Sequence, residues 1–298
     1  MTKPVDDIVR FAAGSIEVEV LPAIGARLHR LRVFGHDLLR TPDDLRPYKE
    51  HPYFYGSYPM APWCNRVAAG PVSVAGRTVD LPESFADGTA IHGQVSRRAW
   101  QDAGDGRFRI EGGGDGWPWP YTVDQHIRLD DRGLELRLDL TNRSDESMPG
   151  GIGFHPWFRK PILVAIAASA VHPSNVGSDA VSVPVTGPYD RRRLEPLPEG
   201  LDSTWSDLTD PPVILDWPDA GIRATMTVEA PTRFVVAANH PGSDAVAIEP
   251  QTHAPDGIRR LLGGEPGGLA LLPPGSALTL VMRFAFERTT DRGPGAKR

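Results

Sequence analysis

The chain has 298 residues, of which 23% are charged, and its formal net charge is −6 at pH 7. A basic surface of the kind that binds nucleic acids is therefore absent, and the single cysteine, Cys64, excludes an intrachain disulfide and a cluster of thiolate metal ligands. No stretch approaches the roughly 18 uninterrupted apolar residues of a membrane span, and the first residues lack the apolar run of a signal peptide. We expect a cytoplasmic protein without nucleic-acid or membrane partners.

Glycine and proline are unusually frequent in this chain. The 31 Gly and 30 Pro make up about 20% of it, against about 12% in average proteins. They are scattered without a repeat, which indicates many turns between short elements and disfavours helical bundles. No linker stands out, so we expect a single domain over residues 1–298, with a core at about 14–286 and a polar tail at 289–298.

Apolar and polar residues alternate with period two in several segments, as is typical of strands with one buried face. Strands are predicted at 14–20, 132–140, 213–215, 234–238, 245–248 and 276–286. Segment 163–171 fits either a strand or a helix, and 172–212 is predicted as loops. Because no capped helix separates the strands, the pattern predicts an all-β protein, a large antiparallel β-sandwich with few short helices.

Four regions combine polar side chains with aromatic residues, proline or glycine, as a binding pocket on rigid loops does. They are 61–70 (APWCNRVAAG), 91–93 (IHG), 153–158 (GFHPWF) and 248–251 (IEPQ), the last followed by 254–257 (APDG). Turns alone do not require this combination, so we expect the chemistry of the protein in these regions.

Two residues in these regions are candidates for acid–base work, His155 and Glu249, because the pKa values of such groups can be tuned towards neutrality. Glu249 ends a buried-strand pattern, where an unpartnered carboxylate is costly. A histidine before proline is more often structural when it occurs alone, and Asn65-Arg66 fits a surface turn as well as a binding site.

The neighbouring residue types are those that bind sugars. The aromatic faces of Trp63, Trp157 and Trp205 suit the apolar C–H faces of a sugar ring. Asn, Gln and Arg side chains give directional hydrogen bonds to hydroxyl groups. The combination indicates a carbohydrate site with acid–base chemistry.

Taken together, these segments resemble the aldose 1-epimerase (galactose mutarotase-like) family over about residues 14–286. The motifs occur in the family's order: Asn-Arg, His-Gly, His-Pro-aromatic-Phe, and Glu-Pro-Gln with Pro-Asp. Segments 116–121 (GWPWPY) and 272–275 (LPPG) are similar to further family segments. Residues 62–66 and 117–121 look more like the uncharacterised aldose 1-epimerase-like branch than like the galactose enzymes.

This resemblance implies a galactose mutarotase-like supersandwich that interconverts the α and β anomers of a free aldose, with no cofactor and no metal. Glu249 matches the general base, which takes the proton of the C1 hydroxyl, and His155 matches the general acid, which protonates the ring oxygen. The residues that the comparison assigns to substrate binding are Asn65, Arg66, His92, Trp157, Asp202 and Gln251. The expected partner is a small sugar, and the protein is expected to be a monomer or homodimer.

One departure from the galactose enzymes leaves alternatives open. Arg159 and Lys160 stand where those enzymes usually have Asn-Leu. With the run 191–193 they could meet the phosphate of a hexose 6-phosphate, or they could be solvated. A hexose-6-phosphate 1-epimerase and a non-catalytic sugar-binding or regulatory protein therefore remain alternatives. A glycoside hydrolase would need a second carboxylate beside Glu249, and only Asp202 is a candidate.

Overall fold

A computed structural model describes residues 8–174 and 181–289. Strands hold 54% of the chain and helices 7%, so packing between strands must supply the core. No helix in the described part of the chain is long and apolar enough to cross a membrane.

The strands are β1 (Val9–Ala13), β2 (Ile16–Leu21), β3 (Arg27–Val33), β4 (His36–Asp37), β5 (Ser57–Met60), β6 (Arg66–Ala68), β7 (Gly70–Val74), β8 (Arg77–Leu81), β9 (Thr89–Ile91), β10 (Gln101–Asp102), β11 (Arg107–Gly114), β12 (Trp117–Leu129), β13 (Gly133–Asn142), β14 (Met148–Gly150), β15 (Gly153–Arg159), β16 (Leu163–His172), β17 (Val183–Pro184), β18 (Asp202–Trp217), β19 (Ile222–Glu229), β20 (Phe234–Ala238), β21 (Ala245–Gln251), β22 (Ala270–Leu272) and β23 (Ala277–Arg288). The helices are α1 (Pro47–Glu50) and α2 (Gly257–Gly263), with 3-10 turns at Pro22–Ile24, Gly187–Tyr189 and Pro218–Ala220.

Seventeen of the described strands join in one curled antiparallel sheet. From β10 the pairing runs through β11, β12, β13, β23 and β19 to β18. It continues through β20, β21, β15, β5, β3 and β2 to β1. The strand β18 belongs to both halves, because its end at 213–217 pairs with β19 and its start at 202–205 pairs with β20.

The core follows directly from the period-two pattern. On β13, the four leucines between Leu134 and Leu140 are each at most 1% exposed, while the intervening charged side chains face outward. Asp139, for example, accepts from Arg137 at 2.7 Å, and Glu135 accepts from Arg283 at 2.7 Å. Apolar burial on one face and charge on the other fix the register, because a shift by one residue would exchange the two faces.

The predicted all-β antiparallel architecture is confirmed, and segment 163–171 is a strand. The prediction of loops over 172–212 is wrong in part, since β17 and the first part of β18 lie there. Polar residues and prolines concealed β18, which is held by backbone pairing with β16 and β20. The tail predicted at 289–298 lies outside the described residues except for Thr289, and the single domain over 1–298 stays a prediction.

Two loops that follow the sheet strands meet through their backbones. Ala61 and Gly93 form a parallel bridge, and the N–H of Gln94 donates to the carbonyl of Ala61 at 2.7 Å. Gly93 has a φ of +71°, and a Cβ there would lie 2.0 Å from the Ala61 oxygen. Only glycine therefore allows segments 61–66 and 91–93 to approach this closely.

We expect Gly93→Ala to lower the free energy of unfolding by more than the roughly 1–2 kcal/mol that a left-handed backbone costs a residue with a Cβ. The added methyl group would collide with the Ala61 carbonyl. Gly88 is a matched control, because its φ is +82° but nothing lies within 4 Å of an added Cβ. Urea unfolding of both variants measures the two losses. Equal losses for Gly93→Ala and Gly88→Ala would contradict the close contact.

Candidate active site

The acid–base candidates lie on neighbouring strands and share one face of the sheet. His155 on β15 pairs with Tyr58 on β5. On the other side of β15, the register that pairs Trp157 with Ala247 places Glu249 of β21 opposite His155. Because side chains two residues apart on a strand face the same side, Trp157 stands beside His155 on this face.

The next two strands extend the same surface. Val236 of β20 pairs with Glu249, and Ala238 pairs with Ala247. Asp202, at the start of β18, pairs with Ala238 and so reaches the same face as Glu249. The small side chains of β20 leave room above the sheet.

This face forms the floor of a cavity that is partly open to solvent. Seven of the eight predicted site residues line it: Asn65, Arg66, His92, His155, Trp157, Asp202 and Glu249. The fold thus brings together residues that are up to 184 positions apart in the sequence.

The centre of the cavity floor is a buried imidazole–carboxyl pair. His155 Nε2 lies 3.1 Å from Glu249 Oε1, and the two residues are only 4% and 3% exposed. His155 Nδ1 and Glu249 Oε2 have no hydrogen-bond partner among the described residues. Buried polar atoms without partners are rare, so this pair is suited to meet the polar atoms of a ligand.

Burial sets the proton affinity of the carboxyl. It raises the pKa of Glu249 well above its ordinary value of 4.5, and the negative charge of Asp202 raises it further, while Arg66 opposes the shift. The charged carboxylate is disfavoured because the low dielectric of the cavity floor does not solvate it. Glu249 therefore holds a proton at pH values where an exposed glutamate has lost it.

Burial acts on the imidazole in the opposite direction. It lowers the pKa of His155 well below 6.5, and the nearby His92 and Arg27 lower it further. The imidazole and the carboxyl of Glu249 behave as one coupled group. The opposed shifts favour the form in which the pair holds one proton, because both the doubly protonated and the fully deprotonated forms are disfavoured.

Arg66, at the start of β6, is held between two carboxylates. Its Nε donates to Asp87 at 2.8 Å, and its NH1 lies 3.6 Å from Asp202. Its guanidinium also lies 5.2 Å from the centroid of the Phe85 ring. Asn65 precedes it with a φ of +53°, and its Oδ1 accepts from the Arg66 N–H at 2.7 Å. The donor end of Arg66 is thereby fixed at the cavity wall.

His92 stands over the acid–base pair from the 91–93 loop. The backbone N–H of His92 donates to the carbonyl of Asn65 at 3.1 Å. The His92 ring meets that of His155 edge-on, with 4.8 Å between centroids. Burial and the charge of Arg66 lower the pKa of His92 to about 3. The ring is neutral at pH 7, so it presents one donor and one acceptor nitrogen.

Three of these residues offer donors that divalent metals accept. One ligand atom each from His92, His155 and Glu249 lie within 4.8 Å of one another. Two imidazoles and a carboxylate form a common zinc-ligand set, so this cluster has the composition to hold such an ion. The expected absence of a metal stays a prediction.

Gln251, the eighth predicted residue, does not line the cavity. It is fully buried, and its side-chain nitrogen donates to the carbonyl of His253 at 2.8 Å. It shares the face of Glu249 but stands two residues farther along β21, beyond the cavity edge. A direct contact between Gln251 and substrate is therefore not supported, and its role in this structure is to tie β21 to the following loop.

Two of the tryptophans proposed to face a sugar are core residues instead. Trp63 packs on Trp117 with 5.3 Å between ring centroids, and Trp205 is fully buried and donates to the carbonyl of Tyr189 at 3.0 Å. Trp157 alone of the three lines the cavity. The aromatic identity of a residue did not distinguish core from site, because both environments favour large rings.

Of the lining residues that were not predicted, four carry aromatic rings: Tyr53, Phe54, Phe85 and His240. The ring of His240 lies 5.6 Å from that of Trp157 and 6.0 Å from that of Phe54. A signal existed for His240, since it follows β20, whose partner strand carries Glu249. The other three come from loops whose paths the local sequence does not reveal.

His253 has a structural role. Its Nε2 accepts from the N–H of Cys64 at 2.8 Å, and its Nδ1 donates to the carbonyl of Ala254 at 2.7 Å. These two bonds define the tautomer and connect the loop before Asn65 to the segment after Glu249. The segment 61–66 and β21 are thereby held in register.

Comparison with known proteins agrees with this architecture. The sequence profile of the aldose 1-epimerase family matches residues 7–285. The chain belongs to the aldose 1-epimerase family. Over 246 residues it is 26% identical to the uncharacterised protein YphB of Escherichia coli K12, a match that spans 77% of this chain and 83% of YphB.

Two solved structures of this family type have the same fold. A galactose mutarotase-like protein from Clostridium acetobutylicum superposes with a TM-score of 0.79 at 20% identity, covering 94% of this chain and 95% of the other. Galactose 1-epimerase from Lactobacillus acidophilus NCFM gives a TM-score of 0.75 at 18% identity, covering 97% of each chain. At these identities the structural similarity establishes the fold of this aldose 1-epimerase family member. It does not identify the substrate.

Proposed function

We propose that this protein is an isomerase that interconverts the α and β anomers of a free aldose by opening and closing the sugar ring. The observation that carries the proposal is the buried pair of His155 and Glu249, with 3.1 Å between Nε2 and Oε1. In a cyclic aldose, O1 and O5 are both bonded to C1, so groups that exchange protons with them must lie close together. This pair satisfies that condition.

The proton steps balance within the pair. Burial favours the proton on Glu249, so the pair first transfers its single proton to His155 across the 3.1 Å contact. From that form, Glu249 takes the proton of the O1 hydroxyl while His155 protonates O5. The C1–O5 bond breaks, and C1 becomes a carbonyl. Rotation about the C1–C2 bond presents the other carbonyl face, and ring closure reverses both transfers. The pair begins and ends with one proton, so turnover needs no net exchange with solvent.

The remaining cavity residues suit the hydroxyl groups and C–H faces of a sugar. Arg66 donates, Asp202 accepts, and the neutral His92 can do either. The rings of Trp157 and Phe54 supply apolar surface for the sugar's C–H face. These contacts would hold C1 above the acid–base pair, where proton transfer gains from a fixed geometry.

The structure favours a neutral sugar over a sugar phosphate. Arg159 donates to the carbonyls of Leu39 and Thr41 at 2.8 and 3.1 Å, and Lys160 donates to the carbonyl of Ser243 at 2.7 Å. Neither cation lines the cavity, so the departure from Asn-Leu serves to hold neighbouring strands and loops.

The other proposed phosphate ligands lie outside the cavity as well. Arg191 is within 3.7 Å of Glu195, and Arg192 is bonded to Asp190 at 2.5 Å. None of the residues 191–193 is in the cavity lining. The one arginine that does line it, Arg66, is already balanced by two carboxylates. Among the described residues, the lining therefore carries no excess positive charge for a phosphate dianion.

Three expectations from the sequence stay predictions: turnover without cofactor or metal, a monomer or homodimer, and a cytoplasmic location. The first is tested by including EDTA in the assays below. Activity that EDTA abolishes and Zn²⁺ restores would replace the metal-free mechanism.

The proposal predicts that the protein accelerates mutarotation of at least one freshly dissolved aldose anomer, followed by polarimetry or proton NMR. The panel contains glucose, galactose, xylose, arabinose and fucose. We expect Glu249→Gln and His155→Ala each to lower kcat by about 10²–10⁴-fold, since each removes one proton-transfer group. Circular dichroism checks that both variants are folded.

Matched surface variants serve as controls for these two substitutions. Glu229→Gln changes an exposed glutamate on β19, and His36→Ala changes an exposed histidine on β4; both should keep wild-type rates. Full activity in a folded Glu249→Gln variant would remove Glu249 from the mechanism. Sugar binding by the wild type without any acceleration would favour the non-catalytic binding protein.

The opposing pKa shifts predict the pH dependence of kcat/KM. The active form of the pair holds one proton. This form is lost at acid pH, where a second proton binds. The pKa of His155 lies well below 6.5. The acid limb, where kcat/KM decreases with decreasing pH, should therefore lie below pH 6.5, and activity should be undiminished from pH 7 to 6.5. An acid limb at or above pH 6.5 in polarimetric assays would contradict the buried pair as the titrating group.

A last prediction separates the neutral sugar from its phosphate. Because the cavity lining carries no spare cation, we expect kcat/KM for glucose 6-phosphate to be at least tenfold below that of the best neutral sugar. Arg159→Gln and Lys160→Gln should leave the ratio of the two unchanged. A preference for the phosphate that either variant abolishes would establish the hexose-6-phosphate reading.

A further inference from the structure

Arg27 is the first residue of β3 and is a fully buried cation. The described residues place no carboxylate oxygen within 4.0 Å of its guanidinium; they offer carbonyl oxygens instead. NH1 donates to Tyr55 at 2.8 Å, and NH2 donates to Pro52 at 2.6 Å and to Ser96 at 3.3 Å. An uncompensated buried charge is costly, so its presence calls for an explanation beyond packing.

The guanidinium lies between two aromatic rings and continues towards the acid–base pair. Its central carbon lies 4.8 Å from the centroid of the Tyr48 ring and 4.6 Å from that of Tyr58. The other face of Tyr58 stacks on the His155 imidazole at 4.7 Å and 27°, and the imidazole stacks on Trp157 at 5.3 Å and 30°. We call this series, Tyr48, Arg27, Tyr58, His155 and Trp157, the Arg27 stack.

Three members of the Arg27 stack are hydrogen-bonded to backbone carbonyls of the segment 52–55. Tyr58 donates to the carbonyl of Tyr53 at 3.2 Å, and Trp157 donates to the same carbonyl at 2.6 Å. Arg27 anchors the carbonyls of Pro52 and Tyr55, on either side of Tyr53. The catalytic imidazole therefore stands between two rings that are both hydrogen-bonded to the segment 52–55, and Arg27 is hydrogen-bonded to the same segment on either side of Tyr53.

We propose that Arg27 is a positioning residue for proton transfer at His155. Through the Tyr58 ring it holds the imidazole plane so that Nε2 points at Glu249, and it places a fixed positive charge behind that plane. The proposal rests on the acid–base function proposed above. A planar cation suits both tasks, because guanidinium stacks on aromatic faces and donates to several carbonyls at once.

The charge behind the imidazole has a chemical consequence. Burial lowers the pKa of Arg27 only to about 10, so the side chain is a cation at neutral pH, and its charge contributes to the lowered pKa of His155. The imidazolium, when it forms during turnover, is therefore a stronger acid towards the ring oxygen. The titratable and charged groups that face His155 are Arg27, Tyr58, Arg66, His92, Asp202, His240 and Glu249.

Two substitutions separate the effect of the positive charge of Arg27 from the effect of its planar guanidinium. Arg27→Met removes both, and we expect the acid limb of kcat/KM to rise by about one pH unit, the shift due to a unit charge roughly 9 Å away at an effective dielectric of about 20. Its kcat should fall about tenfold or more with little change in KM, because the imidazole loses alignment. Arg27→Lys keeps the charge without the plane, so its acid limb should stay near wild type while kcat falls.

Arg260 provides the matched control. It is also a buried arginine, 6% exposed, whose pKa burial lowers, and it donates to the carbonyl of Pro255 at 2.8 Å on helix α2, outside the cavity lining. Arg260→Met should lower the free energy of unfolding without moving the acid limb. An acid limb in folded Arg27→Met that matches wild type, or one that moves equally in Arg260→Met, would overturn the proposal.

Two further measurements keep the test decisive. If Arg27→Met does not fold, Arg27→Gln removes the charge but retains amide donors for the carbonyls, and it carries the same expected shift. If the wild type accelerates no sugar, the function has failed separately. The positioning role is then read from ¹⁵N NMR titration of the His155 ring, where an unchanged titration in Arg27→Met overturns it.

Discussion

The site depends on removing one imidazole and one carboxyl from water at contact distance. Burial alone pushes the pKa of Glu249 up and that of His155 down, so the two groups become a pair that keeps a single proton. An exposed pair at the same 3.1 Å would be an ordinary surface contact, with charges favoured by solvent and a small energetic effect. The closed floor formed by β15, β21 and β20 therefore gives two common side chains opposed pKa shifts that an exposed pair would not have.

The surrounding residues preserve that balance by staying neutral or compensated. His92 is held neutral by burial and by Arg66, and Arg66 is itself held by Asp87 and Asp202. Excess positive charge near the pair would draw the proton off, and excess negative charge would add one. Arg27 is the exception, a cation without a carboxylate partner among the described residues, and its place behind Tyr58 lets it act on the pair without touching a ligand.

The sequence predicted what depends on local pattern. Period-two alternation marked β2, β13 and β23, and the apolar run before Glu249 identified a buried carboxyl near a strand end. It did not reveal what tertiary packing decides. Gln251 shares the face of Glu249 yet falls outside the cavity, because the cavity ends between them. Phe54 and Phe85 enter from loops, and Arg27 follows a turn in a segment rich in arginine, where nothing distinguishes a buried guanidinium from an exposed one.

The long strand β18 couples the unfolding of the two halves of the sheet. Its end pairs with β19 in one half, and its start, which carries Asp202, pairs with β20 in the other. A fluctuation that opens either half must break hydrogen bonds on this strand, so the halves form one cooperative unit instead of two that melt separately. The cavity cannot be lost by local fraying while the rest of the sheet survives. Amide protons beside Asp202 should accordingly exchange with solvent as slowly as those in the leucine-rich centre of β13, although one strand borders a binding site and the other lies deep in the sheet.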